Sequence, residues 1–452
     1  MKEKTLVLEE TIVKLAEAKK YASLRDFLAT LNAADIAEAF SGLSDQTLPL
    51  VFRLLPKSLA AETFVEMEPE QQATLIRGFS DLELKAVVDE LYVDDAVDLV
   101  EEMPANVVSR ILLQADPQTR QMINEILQYP EDSAGSVMTT EFVELRATMT
   151  AAQAIAHIRA VGLDKETINT CYITGESHHL QGVISIRTLI LADENALCQT
   201  MMNPNVVSVS TREDQETVAQ MFAKYNFSAL PVVDGDGRLV GIVTMDDAMD
   251  ILEAETTEDM EKMAAISPSD RPYLTTSPLE IWKHRIPWLL LLMVSATFTG
   301  MVITRFEDAL AACTVLVAYI PMLMDTGGNA GSQSSVTVIR GLSLQEIRFR
   351  DLFRVLGKEF VVSILCGFTL AVCNLVKLLL LDRVGFPVAA VVCLTLLITV
   401  IVSKLVGTLL PMAAKRVGFD PAVMASPLIT TVVDVLALLI YFEAATLILR
   451  LG

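Results

Sequence analysis

The chain has 452 residues, a formal net charge of −22 and a mean hydropathy of +0.45. From Ile281 onward 14 basic residues face 10 acidic ones, so the first 280 residues hold the remaining 21 basic and 47 acidic ones. A strongly acidic part is followed by a hydrophobic, slightly basic one, a balance that excludes nucleic acid and anionic lipid headgroups as partners of the acidic part and favours cations.

Motif content narrows the classes further. The six cysteines show no CxxC and no metal spacing, and the four histidines form no HExxH pattern, so the cysteines read as small core residues in a reducing compartment. Neither a Walker motif nor a nucleophile–base constellation stands out, and no enzyme activity or ATP hydrolysis is expected. The opening segment MKEKTLVLEETIVKLAEAKK is charged throughout and lacks the features of a cleavable signal peptide, which places the acidic part in the cytoplasm.

Residues 1–131 read as an acidic, all-α superhelical domain. Breaks at Pro56, Ser80, Pro104 and Pro130 recur about every two dozen residues, and each unit holds two amphipathic stretches, as in DLELKAVVDELYVDDAVDLVEEMP (81–104). Residues 132–199 and 200–252 read as a tandem. SVMTTEFVELRATMTAAQAIAHIR is echoed by TMMNPNVVSVSTREDQETVAQMFAKY, and LQGVISIRTLIL by LVGIVTMDDAMDIL. Each unit reads as a strand, a helix, two strands and a helix, and Gly-Asp-Gly at 235–237 turns the second hairpin. This pattern resembles a pair of CBS domains, which implies an α+β fold and a regulatory adenosine-nucleotide role. Thr244 and Asp247 match the G-x-x-T-x-x-D ribose contact of that family. The stretch from Ile184 to Thr188 in the first unit lacks the Asp, so the resemblance provides for one nucleotide site rather than two.

The next segment, 253–283, is read as a connecting helix that continues DILEAETTEDMEKMAAI (250–266). Glu255, Glu258 and Asp259 are spaced i, i+3 and i+4, so three carboxylates crowd one face. Like charges at that spacing destabilise a helix by roughly a few tenths of a kcal/mol per pair unless cations neutralise them. Asp94 and Asp98, and Asp246 and Asp250, repeat the i, i+4 theme. One such pair would read as a solvated face, but three clusters together favour cation binding.

Residues 284–452 read as a transmembrane domain with five helices, at 286–304, 312–340, 360–381, 386–412 and 421–449. Lys283 and Arg285 precede the first span. The second loop holds Arg340, Arg348, Arg350, Arg354 and Lys358, and the fourth holds Lys415 and Arg416, against Arg305 and Arg383 in the other two. The positive-inside rule puts the N-terminus in the cytoplasm and the C-terminus outside the cell membrane. In the second span Pro321 and DTGGNAGSQSS (325–335) predict a kinked or unwound segment, tolerated only where protein or a watery cavity covers it. In the fifth, Thr430, Thr431 and Asp434 form a polar stripe. Gly327, Gly328 and Gly331 are accounted for by tight helix packing, but Asp325 and Asp434 are not, and an intramembrane carboxylate points to an ion path. Lys404, inside the fourth span, fits a counter-charge, a snorkelling side chain or a group facing the bundle interior.

The order of acidic helical domain, tandem CBS units, acidic connecting helix and five spans resembles the MgtE family of magnesium transporters over essentially the whole chain. PMLMDTGGNAGSQSS (321–335) and DPAVMASPLITTVVD (420–434) carry the resemblance most specifically. It implies a homodimer in the lipid bilayer with a pore on the two-fold axis, lined by the second and fifth spans. Asp434 would bind the permeating Mg²⁺ near Gly328 and Asn329. It further implies that cytosolic Mg²⁺ holds the acidic domain, CBS units and connecting (plug) helix together and closes the pore. Sensor ligands carried over by position are Asp94, Asp98, Asp247, Asp250, Glu255, Glu258, Asp259, Glu359 and Asp420, with Glu62, Gly135 (backbone), Asp214, Glu216 and Ala223 (backbone) as a second tier, to which Asp246 belongs as part of its acidic pair. Asn226 stands where the family pattern leads one to expect a carboxylate, which puts the ion site beside the second CBS unit in doubt. Some members bind ATP in the CBS units, making ATP a candidate regulatory ligand.

The chemistry of the residues points the same way. Mg²⁺ is small and hard, keeps several waters, and is held by one or two carboxylates. Two Asp434 side chains with Thr431 and glycine backbone oxygens suit a hydrated ion, whereas a full carboxylate cage would not release it. Two other readings remain: a carrier of broader divalent specificity (Mn²⁺, Co²⁺ or Ca²⁺), and a membrane-anchored CBS regulator in which Asp325 and Asp434 have no role.

Overall fold

The computed structural model describes all residues except 1, 270–272, 275, 425 and 451–452. The chain divides into two compact units, Met1–Leu252 and Glu253–Gly452.

Among the described residues the first unit opens with ten helices, α1 (Lys2–Glu17) to α10 (Pro117–Ile126). The expected punctuation is where the chain turns. Pro56, Ser80 and Pro104 are the N-caps of α5 (Lys57–Val65), α7 (Asp81–Val88) and α9 (Ala105–Gln114). Proline at a cap forfeits no helical hydrogen bond, since the first N–H groups of a helix lack partners anyway. Ser80 does more: its hydroxyl accepts from Glu83 N and the Glu83 carboxylate accepts from Ser80 N, a reciprocal capping box. Each short helix buries one face, and Ile36, Phe40, Phe64, Leu75 and Ile111 join one core that runs on into Phe222, Leu230 and Val243 of the second α/β repeat.

The repeats share one topology. Strand β1 (Val143–Arg146) is followed by α11 (Ala151–Val161), β2 (Thr170–Thr174), β3 (Leu180–Ser185) and α12 (Ile186–Leu191). After α13 (Cys198–Met201) come β4 (Val209–Ser210), α14 (Gln215–Tyr225), β5 (Ala229–Val233), β6 (Leu239–Thr244) and α15 (Met245–Met263). In each three-stranded sheet the first strand pairs parallel with the second, which pairs antiparallel with the third. The register slips at equivalent places, between Ile173 and Thr174 and between Val232 and Val233. Gly237 in the second hairpin has φ +79°, a conformation that favours glycine.

In the second unit, α15 runs to Met263 and the next helix, α16, spans Pro278–Arg305. The expected connecting helix 253–283 is therefore interrupted after Met263. α17 (Glu307–Ala312), α18 (Ile320–Ser343), α19 (Leu352–Leu380), α20 (Phe386–Val417) and α21 (Ser426–Leu449) follow. Among the described residues four segments, Pro278–Arg305, Phe349–Leu380, Phe386–Val417 and Pro421–Leu449, are long and apolar enough to cross a membrane. α18 has the length, 24 residues, but its Gly/Ser-rich composition keeps it from standing out as apolar. Apolar side chains such as Leu289, Met293, Phe298, Leu365 and Phe368 face outward, as hydrocarbon surroundings require.

The expected unwinding or kink of 325–335 is not observed, because α18 is one continuous helix. Pro321 lies in its first turn, where no intrahelical donor is lost. The glycines serve close packing instead. A Cβ on Gly327 would lie 2.8 Å from Thr399 Cγ2, one on Gly328 2.9 Å from Thr430 Cγ2, and one on Gly407 only 2.2 Å from Gly331 O. α18 and α20 thus meet at backbone contact, α21 packs its side chains onto the same glycines, and α18 satisfies its own amides while doing so.

Candidate functional site

Asp434 sits on α21 one turn beyond Thr430, and its Oδ1 is buried without a hydrogen-bond partner. Asp325 lies exposed on α18, one turn before Asn329. Asn329 is exposed and Gly328 is buried against Thr430. Thr431 donates to Pro427 O at 3.0 Å, so its hydroxyl proton is used inside the helix while its oxygen lone pairs are left to accept or coordinate. α20 adds the buried hydroxyls of Thr395, Thr399 and Ser403, which also lack hydrogen-bond partners; their i, i+4, i+8 spacing, which puts them on one helix face, is a signal the sequence reading passed over. A seam of glycine backbone, hydroxyls and carboxylates between three membrane helices can hold a hydrated cation by oxygen alone.

Other carboxylates of this unit already face an ammonium. Lys404 is 5% exposed; its Nζ donates to Ser334 Oγ at 3.2 Å and lies 3.9 Å from Glu359 Oε2, which also accepts from Ser334 Oγ at 2.7 Å. Of the three roles open to Lys404, burial rules out the snorkelling side chain, and the residue both faces the bundle interior and acts as a counter-charge to Glu359. Lys262, on α15, bridges Glu258 Oε1 at 2.5 Å and Asp420 Oδ2 at 2.7 Å. Burial opposes its charge, but the two carboxylates outweigh burial and hold the Lys262 ammonium above its ordinary pKa. Asp420 Oδ1 also accepts from Ala422 N at 2.8 Å, and Asp259 accepts from Ser343 Oγ at 3.3 Å. Glu255 lies one turn before Asp259 on the same helix.

The first unit contains an acidic centre of another kind. α8 (Val93–Glu102) carries Asp94, Asp95 and Asp98. Asp94 is 9% exposed and its Oδ1 has no hydrogen-bond partner; Asp98, one turn on, is more open to solvent, yet burial and then the charge of Asp247 push its carboxyl up to about 7. Asp94 also meets Glu141 and Glu166, with one oxygen of each of the three within 4.8 Å of the others. Burial first, then the charge of Asp247, holds the Asp94 carboxyl well above the usual range. The same causes in the same order push Asp95 up to about 6 and Glu166 up to about 8. Glu141 and Glu166 lie 47 and 72 positions beyond Asp94, and no local pattern marks them.

The remaining expected residues are dispersed. Thr244 donates through its amide, at 3.2 Å, and its hydroxyl to Asp247 Oδ2, so the pair expected to contact a ribose is held together at the start of α15. Ser185 takes the corresponding capping place in the first repeat, accepting from Thr188 N at 3.1 Å. Asp246 and Asp250 are exposed on α15, Glu62 is exposed on α5 and Ala223 on α14. Gly135 is buried, and its amide donates to Thr211 O at 2.9 Å. Asp214 caps α14 by accepting from Glu216 N at 2.9 Å, and Glu216 accepts from Gln220 at 3.0 Å. Asn226 closes α14 with φ 54°, a left-handed cap position that asparagine tolerates well, which gives the residue a structural reason of its own.

Comparison with known proteins agrees with this layout. Residues 320–444 match the MgtE profile, described as a divalent cation transporter, residues 31–132 match the MgtE intracellular N domain, and residues 198–254 match the CBS domain. The magnesium transporter MgtE of Thermus thermophilus is 38% identical over 453 residues, covering 98% of this chain and 99% of its own length. That of Bacillus subtilis is 32% identical, covering 98% of each. A crystal structure of the cytosolic domain of the Mg²⁺ channel MgtE in complex with ATP is similar at a TM-score of 0.50 and 38% identity, covering 53% of this chain and 99% of that one. The soluble part of a magnesium transporter gives a TM-score of 0.52 at 29% identity, covering 56% of this chain and 99% of that one. By sequence along its whole length and by the fold of its acidic half, the chain belongs to the MgtE family of magnesium transporters.

Proposed function

We propose that the protein imports Mg²⁺ down its electrochemical gradient along a path built around Asp434, and that cytosolic Mg²⁺ bound to its acidic residues closes that path. The observation that carries the reading is the buried Asp434 Oδ1 without a protein partner, at the seam of α18 and α21. A carboxylate at that depth is costly unless an ion or water compensates it. The resemblance to magnesium transporters over the whole chain supplies the cargo. A homodimer would bring two Asp434 side chains to one hydrated ion, with the N-terminus cytoplasmic and the C-terminus outside. An inside-negative potential favours inward movement of a divalent cation by about 4.6 kcal/mol per 100 mV, so no ATP hydrolysis is needed. Ions that bind the closed arrangement better than the open one shift the population toward closure by their differential affinity. ATP binding at the Thr244–Asp247 pair is supported by the ATP-bound cytosolic domain of a 38% identical relative.

Substitution tests the reading directly. Asp434→Ala is expected to abolish Mg²⁺ uptake in cells that depend on this protein while leaving its amount in the membrane unchanged. Wild-type uptake by that variant would remove Asp434 from the ion path. Competition by Mn²⁺, Co²⁺ and Ca²⁺ in the same assay distinguishes a Mg²⁺ path from one of broader divalent specificity, the reading that the family's general description favours.

A further inference from the structure

We propose that the chain just beyond α15 is clasped to the first turns of α16, and that His284 is the positioning residue through which the connecting helix acts on the membrane unit. α15 closes on Ala265, whose φ of 55° is a left-handed conformation that favours glycine. Ile266 N donates to Glu261 O at 2.9 Å across that residue, so the helix stops abruptly and the chain leaves it in a fixed direction. A left-handed alanine persists only where its surroundings hold it. Three contacts do so here. Ser267 N donates to His284 O at 3.0 Å, His284 Nδ1 faces Ser267 O at 3.1 Å, and Ser269 N donates to Glu261 Oε2 at 3.0 Å. Ser267 O is a carbonyl and can only accept, so Nδ1 carries the proton and donates it.

Pro287 prepares α16 for this contact. It lies inside the helix, where it offers no N–H to Lys283 O and its ring pushes that carbonyl aside. Helix turns opened by proline are satisfied by neighbouring segments, and His284 O, in the same turn, takes a donor from Ser267. At its other end α16 is capped by Phe306, which stacks on Phe442 of α21 with ring centroids 5.0 Å apart, and the two helices are in contact. Asp434 lies on α21 about two turns before Phe442. A shift of the end of α15 therefore reaches the helix of Asp434 through a clasped joint and not through a slack linker. A mere tether needs no strained residue, whereas strain held by several bonds marks a joint of set geometry. The regulatory meaning of the clasp rests on the closure reading above; the clasp itself does not.

The test measures Mg²⁺ uptake, at varied internal Mg²⁺, by vesicles that hold the full-length protein with its acidic half inside. His284→Leu removes the donor to Ser267 O. It is expected to raise the internal Mg²⁺ that half-closes uptake at least roughly fivefold, with uptake at low internal Mg²⁺ unchanged. His284→Asn, whose side-chain N–H can stand where Nδ1–H stood, should close near the wild-type concentration. Wild-type closure in His284→Leu, or an equal shift in His284→Asn, overturns the proposal. Should His284→Leu fail to reach the membrane, Glu261→Ala removes the acceptor of Ser269 N without touching α16 and is expected to give the same shift; unchanged closure again overturns the proposal. Amide hydrogen exchange over residues 264–269 of the full-length protein in detergent reads the clasp without reference to closure. Faster exchange in His284→Leu than in wild type supports the clasp, and equal rates overturn it. If wild type itself does not close with Mg²⁺, the sensing reading fails and the exchange rates alone decide the clasp.

Discussion

The carboxylates of the membrane unit and those around Asp94 meet opposite solutions to one electrostatic problem. Glu359 has the Lys404 ammonium nearby, and Glu258 and Asp420 share that of Lys262. Asp94, Glu141 and Glu166 converge within 4.8 Å of one another, yet among the described residues they form no ion pair. A built-in ammonium neutralises acid permanently and independently of the medium, whereas an unpaired cluster becomes comfortable only when a diffusible cation or a proton arrives. Permanent neutralisation fits elements that must hold a bundle together. Conditional neutralisation fits elements that respond to an ion concentration. Asp434 falls with the conditional group although it sits among membrane helices, as a residue that must take up and release cargo should.

The contrast can be broken or sharpened by changing which groups carry permanent charge. The largest effect is expected at Lys404. Lys404→Met leaves Glu359 with Ser334 alone in a buried setting, and losing one partner of such a pair costs about 3 kcal/mol or more. Thermal melting of the purified protein should drop accordingly, and the double change Lys404→Met/Glu359→Gln should recover most of the loss; no recovery would mean that Lys404 supports the bundle by packing and not by charge. A smaller effect is expected at Lys262, which is partly exposed. Lys262→Met frees Glu258 and Asp420 to bind a cation, and if that is worth about 1 kcal/mol of coupling, the Mg²⁺ concentration that closes uptake should fall roughly fivefold. A rise in that concentration would show instead that the lysine bridge itself maintains the closed form.

The smallest effect concerns the unpaired cluster itself. Burial, reinforced by the Asp247 charge, raises Asp95 to about 6 and Glu166 to about 8 in the folded chain. A carboxyl whose folded pKa lies above its unfolded value binds more protons when folded, so its stabilising contribution is complete below the unfolded pKa and is lost as pH rises through the folded one. Metal-free protein should therefore melt progressively lower between about pH 4 and pH 8 from these groups, and added Mg²⁺ should restore most of the loss at pH 8. Melting that is equally pH-dependent in Glu166→Gln would separate the effect from this cluster.

Much of this molecule was legible in its residues. Pro56, Ser80 and Pro104 cap helices as expected because caps and proline act within a few residues. The tandem α/β repeats, the Gly237 turn and four of the five long helices of the second unit likewise follow from periodicity, turn chemistry and hydropathy. Asp434 announced itself by being acidic in an apolar run. Local pattern misled at 325–335, where glycine content suggested a broken helix. Neighbouring helices decided otherwise, since a residue without a side chain lets backbones touch and so favours the continuous helix that packs. Pattern was silent about Glu141, Glu166, the Asp420 partner of Lys262 and the partners of Lys404, because contacts as distant as the 158 positions between Lys262 and Asp420 leave no trace in spacing. The sequence by itself determined the elements, the membrane unit and the excess of acid. Only the tertiary structure decided which acids receive a lysine and which are left for an ion, because the field at a carboxylate comes from whatever folds beside it.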